Sequence, residues 1–173
     1  MSLSHYQDRI KENLLLRCME GGLRAHDESK ALLQEILTPR PRGTVTEWAE
    51  RHIYISHGAT QGRYKSSLTP YAREVLECYR DRTCTDLILT WAAQTSKSLH
   101  LMIGGCYRIK NDPMPALWVM PNLDLVKTFS KSRMQPLIAD SPAMVEEKLG
   151  GRHHYTITEM HFRKCMLKFE GRS

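Results

Sequence analysis

Residues 85–98, Thr-Asp-Leu-Ile-Leu-Thr-Trp-Ala-Ala-Gln-Thr-Ser-Lys-Ser, constrain the fold more than any other stretch of the chain. Leu87, Ile88 and Leu89 form a short apolar run with the length and branching of a buried strand. A tract of small and polar residues follows and closes with Lys97-Ser98. Leu99, Met102, Ile103 and Cys106 then recur at helical spacing. Strand, small-residue loop, Lys-Ser and helix is the layout of a loop that wraps a polyphosphate. Such a ligand needs several backbone N–H groups turned inward, and a helix start supplies them with the positive end of its dipole. Lys97 would set a compact positive charge on the β/γ-phosphates, and the Ser98 hydroxyl would be a ligand of the magnesium ion. On the usual pattern Trp91 and Ser96 stand where glycines allow tight turns and close approach to the ligand. Ser96 fills such a position at some cost, whereas Trp91 must point its ring away. Taken alone, Ser-Lys-Ser at the front of a helix is more often a capped, solvated helix start.

The flanking chain adds to the pattern. Ala116 to Met120 reads as a second buried strand, stopped by Pro121, and Asn122 caps a helix running to about Gln135. Strand 87–89, the helix from Ser98 to about Arg108 and strand 116–120 then make one βαβ crossover with parallel strands. Gly104 and Gly105 interrupt that helix at ~1 kcal/mol each relative to alanine, an arrangement suited to close helix-on-sheet packing. Pro136 breaks the next helix, Ser141-Pro142 opens a short one to Leu149, and residues 150–173 suggest a two-stranded hairpin. Upstream, Thr46-Glu47-Trp48-Ala49-Glu50 predicts a short capped helix followed by extended chain at 52–55. Thr69-Pro70 predicts a helix to about Arg80, with the threonine hydroxyl as its cap. Before residue 38, two helical patterns (5–20 and 27–37) precede the Pro-rich break Thr38-Pro39-Arg40-Pro41.

At 173 residues the chain has room for one domain with a hydrophobic core. No run approaches the length of a membrane span, and the polar start is unlike a signal peptide, so a cytoplasmic protein is expected. The five cysteines, scattered and without metal-ligand spacing, read as reduced packing residues. A net charge of +6 permits contact with nucleic acid, and equally describes a mixed solvated surface. His100 is expected at a helix surface near the loop. Arg133 reads as a solvated helix-face arginine that could also reach a phosphate from a neighbouring helix.

The ordered set Thr46-Glu47-Trp48-Ala49, Gly62-Arg63-Tyr64, Leu68-Thr69-Pro70-Tyr71, Ala93-Gln94-Thr95-Ser96-Lys97-Ser98, Trp118-Val119-Met120-Pro121, Phe129-Ser130-Lys131-Ser132-Arg133 and Pro136-Leu137-Ile138 resembles the ATPase region of GpA-type phage terminase large subunits. The resemblance covers roughly residues 44–170. It implies an α/β, P-loop NTPase-like three-layer sandwich with a parallel sheet, incomplete here and preceded by a helical leader. Residues 1–43 would be that leader and its linker, and 44–173 a partial P-loop ATPase domain. Gln94, Thr95, Ser96, Lys97 and Ser98 would form the Walker A loop for ATP and Mg2+, and Tyr64 would stack on the adenine. The partners implied are double-stranded DNA, a small terminase subunit and a portal, with no membrane.

An ATPase of this class needs an apolar strand ending in Asp-Glu, the Asp holding magnesium and the Glu orienting the attacking water. No such pair follows the loop. The resemblance therefore implies a chain that stops about half-way through the motor domain, before Walker B and the nuclease domain. It would bind ATP without appreciable hydrolysis. The alternatives are a non-catalytic DNA- or protein-binding module and a decayed prophage fragment.

Overall fold

The computed structural model describes residues 43–56, 61–151 and 154–172. The helices expected within residues 5–37 lie outside these. The first described helix is α1 (Val45–His52), and its cap lies two residues before Thr46, where the predicted stretch begins. Thr44 is the capping residue: its Oγ1 accepts from Glu47 N at 3.1 Å, and the Glu47 carboxylate accepts from Thr44 N at 3.4 Å. Thr46 is left to donate its hydroxyl to Glu77 Oε1 at 3.0 Å. The same carboxylate accepts from Val45 N and Thr46 N at 3.0 and 3.1 Å. Donors that a helix start leaves unpaired are thus met by a side chain distant in sequence.

Strand β1 (Tyr54–Ile55) pairs antiparallel with β2 (Gly62–Arg63). Two 3-10 turns, Ser66–Leu68 and Pro70–Ala72, lead into α2 (Arg73–Cys78). The helix predicted from Pro70 therefore starts as a 3-10 turn, and Thr69 makes no capping bond. Its hydroxyl sits instead at 3.3 Å from Tyr64 OH and 3.1 Å from His100 Nε2. A tertiary polar pair has outbid the local cap.

Residues 87–89 are not a strand. They belong to an irregular stretch, with Ile88 84% exposed, and pair with no strand among the described residues. An extended apolar tripeptide becomes sheet only when a neighbour meets its N–H and C=O groups. The predicted pairing of 87–89 with 116–120 is corrected accordingly. Strand β3 (Ala116–Met120) runs parallel to β5 (Met166–Gly171), in register from Ala116 opposite Leu167 to Met120 opposite Gly171. Strand β4 (Glu159–His161) lies antiparallel on the other side of β5, which gives the expected hairpin. The sheet is small and mixed, in the order β3-β5-β4. Leu167 and Phe169 alternate inward from β5, and Phe169 meets Trp118 and Phe129 at ring separations of 6.0 and 6.4 Å. Gly171 lies so close to the Asn122–Leu123 backbone that a β-carbon would overlap it.

The βαβ connection is therefore the one from β3 to β5. Asn122 caps its first helix, α4 (Leu123–Phe129), by accepting from Leu125 N at 2.8 Å. Pro136 does not break the helix. The chain passes through a π-helical turn, Ser130–Met134, into α5 (Gln135–Asp140), with Gln135 N bonded to Ser130 O. Proline has no N–H, and its ring would strike the carbonyl four residues back. The wider i→i+5 turn just ahead of Pro136 takes up that misfit. Helix α6 (Pro142–Glu147) follows.

The central helix, α3 (Lys97–Asn111), buries His100, Ile103, Cys106 and Tyr107. Tyr107 meets Trp48 of α1 edge-on at 5.3 Å. At its far end Lys110 bonds to Glu146 and Glu147 of α6 at 3.0 and 2.7 Å. Of the two glycines, only Gly104 packs tightly, and its neighbour is the Tyr79 ring rather than a sheet.

Candidate functional site

The start of α3 and the turn before it are held in an unusual backbone. Gln94 and Ser96 both have φ of 60°, and Ser96, with ψ of 20°, is left-handed. That conformation is one glycine adopts freely and L side chains adopt at a cost of about 1–2 kcal/mol. The turn is tied by short polar contacts. Thr95 Oγ1 donates to Ala92 O at 2.7 Å, and Lys97 Nζ donates to Trp91 O at 2.5 Å and Ala92 O at 2.7 Å. Tyr71 OH reaches Thr95 O at 3.4 Å.

Beneath the turn lies His100, with no solvent exposure. Ser96 O accepts two bonds from this one residue, from His100 N at 3.1 Å and from the ring Nδ1 at 2.8 Å. The ring's other nitrogen, Nε2, lies 3.2 Å from Tyr64 OH and 3.1 Å from Thr69 Oγ1. Burial holds the imidazole below its ordinary pKa, against the opposing effect of the Ser96 bond. Trp91 packs edge-on against His100 at 5.9 Å and against Tyr71 at 5.1 Å, so its ring is turned inward, beneath the turn. A surface position for His100 is thereby corrected. The sequence signal was its place: four residues after Ser96 and at the head of the stripe His100, Ile103, Tyr107.

Above the turn opens a cavity of about 870 Å³, lined by Gln94 to Leu99 and Met102 on one side. Facing them are Ser132, Arg133, Pro136 and Leu137 from the π-turn and α5, with Ile55 of β1 and Ser56 just after it. The five predicted loop residues, Gln94, Thr95, Ser96, Lys97 and Ser98, thus line one cavity together. Arg133, from a different helix, joins them as a second cation.

Tyr64 is not among the lining residues. It is 3% exposed, its ring meets His100 edge-on at 5.9 Å, and burial raises its phenol pKa. A ring seated in the core with its hydroxyl between Thr69 and His100 is not available to stack on a base. Sequence reasoning also missed Ile55, Ser56 and Leu137, whose approach depends on tertiary packing alone. Among the described residues, no group of three or more His, Cys, Asp or Glu side chains is placed to hold a metal ion. No helix among them is long and apolar enough to cross a membrane.

Chemically, the arrangement offers a concave surface with a helix N-terminus, two cationic side chains, several hydroxyls and no carboxylate among its described lining. This is the chemistry of an anion receptor. Compared with known proteins, residues 58–173 match the family described as phage terminase large subunit gpA, ATPase domain. The terminase large subunit of Enterobacteria phage P21 is 27% identical over 116 residues, which are 66% of this chain and 18% of that protein. The chain thus spans under a fifth of that relative's length. No solved structure matches.

Proposed function

The chain belongs to the family of phage terminase large subunits of the gpA type, in its ATPase domain, and from that premise we propose that residues 94–98 are its nucleotide-binding loop. The observation that carries this reading is the convergence of Gln94 to Ser98 and Arg133 on one cavity, around a left-handed turn at the start of a long helix. In this proposal the described part is a portion of a P-loop sandwich, and 94–98 is its Walker A loop. Backbone N–H groups at the start of α3 receive the phosphate oxygens. Lys97 leaves the carbonyls of Trp91 and Ala92 for the β/γ-phosphates, and Arg133 adds charge from the opposite wall.

The hard oxygen of Ser98, at the cavity, suits Mg2+. It would hold the ion, which when bound would help neutralise the charge of the phosphates. Tyr64 supports the turn from below and does not contact the base. Supporting slow turnover by this chain is the lining itself, in which the described residues include no Asp or Glu to orient water. In the wider proposal the nucleotide powers packaging of double-stranded DNA in the host cytoplasm, with a small terminase subunit and a portal as partners.

The test is calorimetry of MgATP binding to wild type and Lys97→Ala, with turnover followed in the same samples. Binding that weakens at least about tenfold in Lys97→Ala, without turnover, is the expected result. Equal binding by both would sink the loop assignment. Rapid turnover would overturn the absence of a working carboxylate. No binding by a folded sample would leave the alternative, a DNA- or protein-binding module. DNA affinity that falls steeply with salt and ignores ATP would mark it.

A further inference from the structure

We propose that His100 is a positioning residue for this loop: its imidazole pins the Ser96 carbonyl and so aims the following N–H at the cavity. The inference rests on reading 94–98 as a polyphosphate loop. In a trans peptide the N–H points opposite to the C=O, and no described peptide bond is cis. Ser96 O is drawn into the helix by both His100 N and His100 Nδ1. The Lys97 N–H of the same peptide plane therefore points the other way, out of the helix and toward the loop. A peptide flip at 96–97 would break both bonds at once. Glycine adopts this conformation without strain and would need no such hold. A serine at φ 60° needs to be held there.

Geometry also fixes the tautomer. A carbonyl only accepts, so the proton on the neutral ring sits on Nδ1, and Nε2 accepts from the hydroxyl of Tyr64 or Thr69. Both nitrogens are thus satisfied inside the protein, which a buried imidazole requires. An apolar side chain of similar volume would fill the space. It would not grip Ser96. That difference separates a positioning role from mere packing, and it makes the proposal testable.

Three measurements decide it. The first is the 15N spectrum of the imidazole in the wild-type chain near neutral pH, where the Nδ1–H tautomer is expected for His100. An Nε2–H tautomer overturns the proposal. The second is amide exchange at residues 94–98 in His100→Leu and His100→Asn, with the interior of α3 as the reference. Asparagine keeps a donor near the Nδ1 position, whereas leucine keeps only bulk. His100→Leu should speed exchange in the loop about tenfold while residues 103–109 stay unchanged, and His100→Asn should stay within about threefold of wild type. The third is MgATP affinity, which should fall about tenfold in His100→Leu and recover in His100→Asn. Equal loop exchange in wild type and His100→Leu, or an asparagine variant no better than leucine, overturns the positioning role. If His100→Leu does not fold, the tautomer and the asparagine variant still decide. If the wild type binds no MgATP, the nucleotide reading fails separately, and the tautomer and exchange results judge His100 alone.

Discussion

Two adjacent glycines in α3 give opposite answers to the same substitution. Alanine at Gly104 or Gly105 gains the same helix propensity, about 1 kcal/mol, so that contribution cancels when the two variants are compared. What differs is space. A β-carbon on Gly105 meets nothing within 4 Å, whereas one on Gly104 overlaps Cε2, Cζ and Cδ2 of the Tyr79 ring. Three atoms of one rigid ring are struck together, so no single bond rotation at the tip relieves them. The ring is also packed against the core, where burial pushes the Tyr79 phenol up to about 12. Overpacking of this kind costs about 1–3 kcal/mol. Gly105→Ala should therefore stabilise by about 0.5–1 kcal/mol, and Gly104→Ala should range from neutral to about 2 kcal/mol destabilising. With a urea slope of about 1–3 kcal/mol/M, the midpoints should differ by roughly 1 M. The double variant Gly104→Ala/Tyr79→Ala should be more stable than the sum of its singles by about 1–3 kcal/mol, because the added methyl then fills vacated space. Equal midpoints for the two alanine variants would refute the packing argument, as would strict additivity in the double variant.

Other expectations follow from the same structure. His100 and His52 both have pKa values lowered by burial, so the unfolded chain, titrating near about 6.5, takes up protons first. Stability should therefore fall as pH drops from about 6.5 through the depressed folded values. Glu50, lowered by its bonds from Ser66, contributes only at more acidic pH, below its ordinary 4.5. Urea midpoints at about pH 7.5 and pH 5.5 should show the fall in wild type, and a smaller one in His100→Asn. Glu77→Ala removes the acceptor for Val45 N, Thr46 N and the Thr46 hydroxyl, and should cost about 1–2 kcal/mol in the same assay. An unchanged midpoint would mean that water replaces the cap. Pro136→Ala restores an N–H and lets the π-turn relax toward α-helix, rotating Arg133 by roughly 100° per residue of register. Calorimetry should then find MgATP binding about tenfold weaker without loss of stability, and unchanged affinity would remove Arg133 from the site.

What could be read from the sequence was what short-range chemistry decides. Asn122 caps α4 because a side-chain oxygen and an amide three residues on meet in any helix start. The five-residue loop converges because Lys97 and Ser98 open a helix whose apolar stripe is continuous. The failures were of a different kind. Residues 87–89 have strand composition, yet pairing is a property of a neighbour and not of the segment. Thr69 has a capping hydroxyl, but the buried Nε2 of His100 lies within its reach. Pro136 breaks a helix by rule, and a π-turn absorbed it. Tyr64 and His100 each carried a polar group to the interior because each supplied the other's hydrogen-bond partner. Residue type alone does not reveal a mutual arrangement of that sort.

A loop without glycine needs its shape enforced from outside, and that requirement yields a sharp prediction about coupling. Gln94 and Ser96 sit at φ 60° at a cost of about 1–2 kcal/mol each. The bonds of Lys97, Thr95, Tyr71 and His100 to carbonyls of residues 91–96 offset it. If His100 acts by holding Ser96 left-handed, Ser96→Gly should make that hold largely unnecessary, because glycine reaches the same conformation unaided. Ser96→Gly alone should change MgATP affinity little, within about threefold, since the loop is already in place. Its effect should appear in the other background. His100→Leu, expected to weaken binding about tenfold in the native loop, should weaken it only about twofold when residue 96 is glycine. A cycle built from the four chains isolates this interaction from any general loss of stability, which would be the same with either residue at 96. Equal losses in the two backgrounds would mean that His100 supports the helix as a whole and that the left-handed turn is held by something else, with the Lys97 bonds to Trp91 and Ala92 the next to be cut.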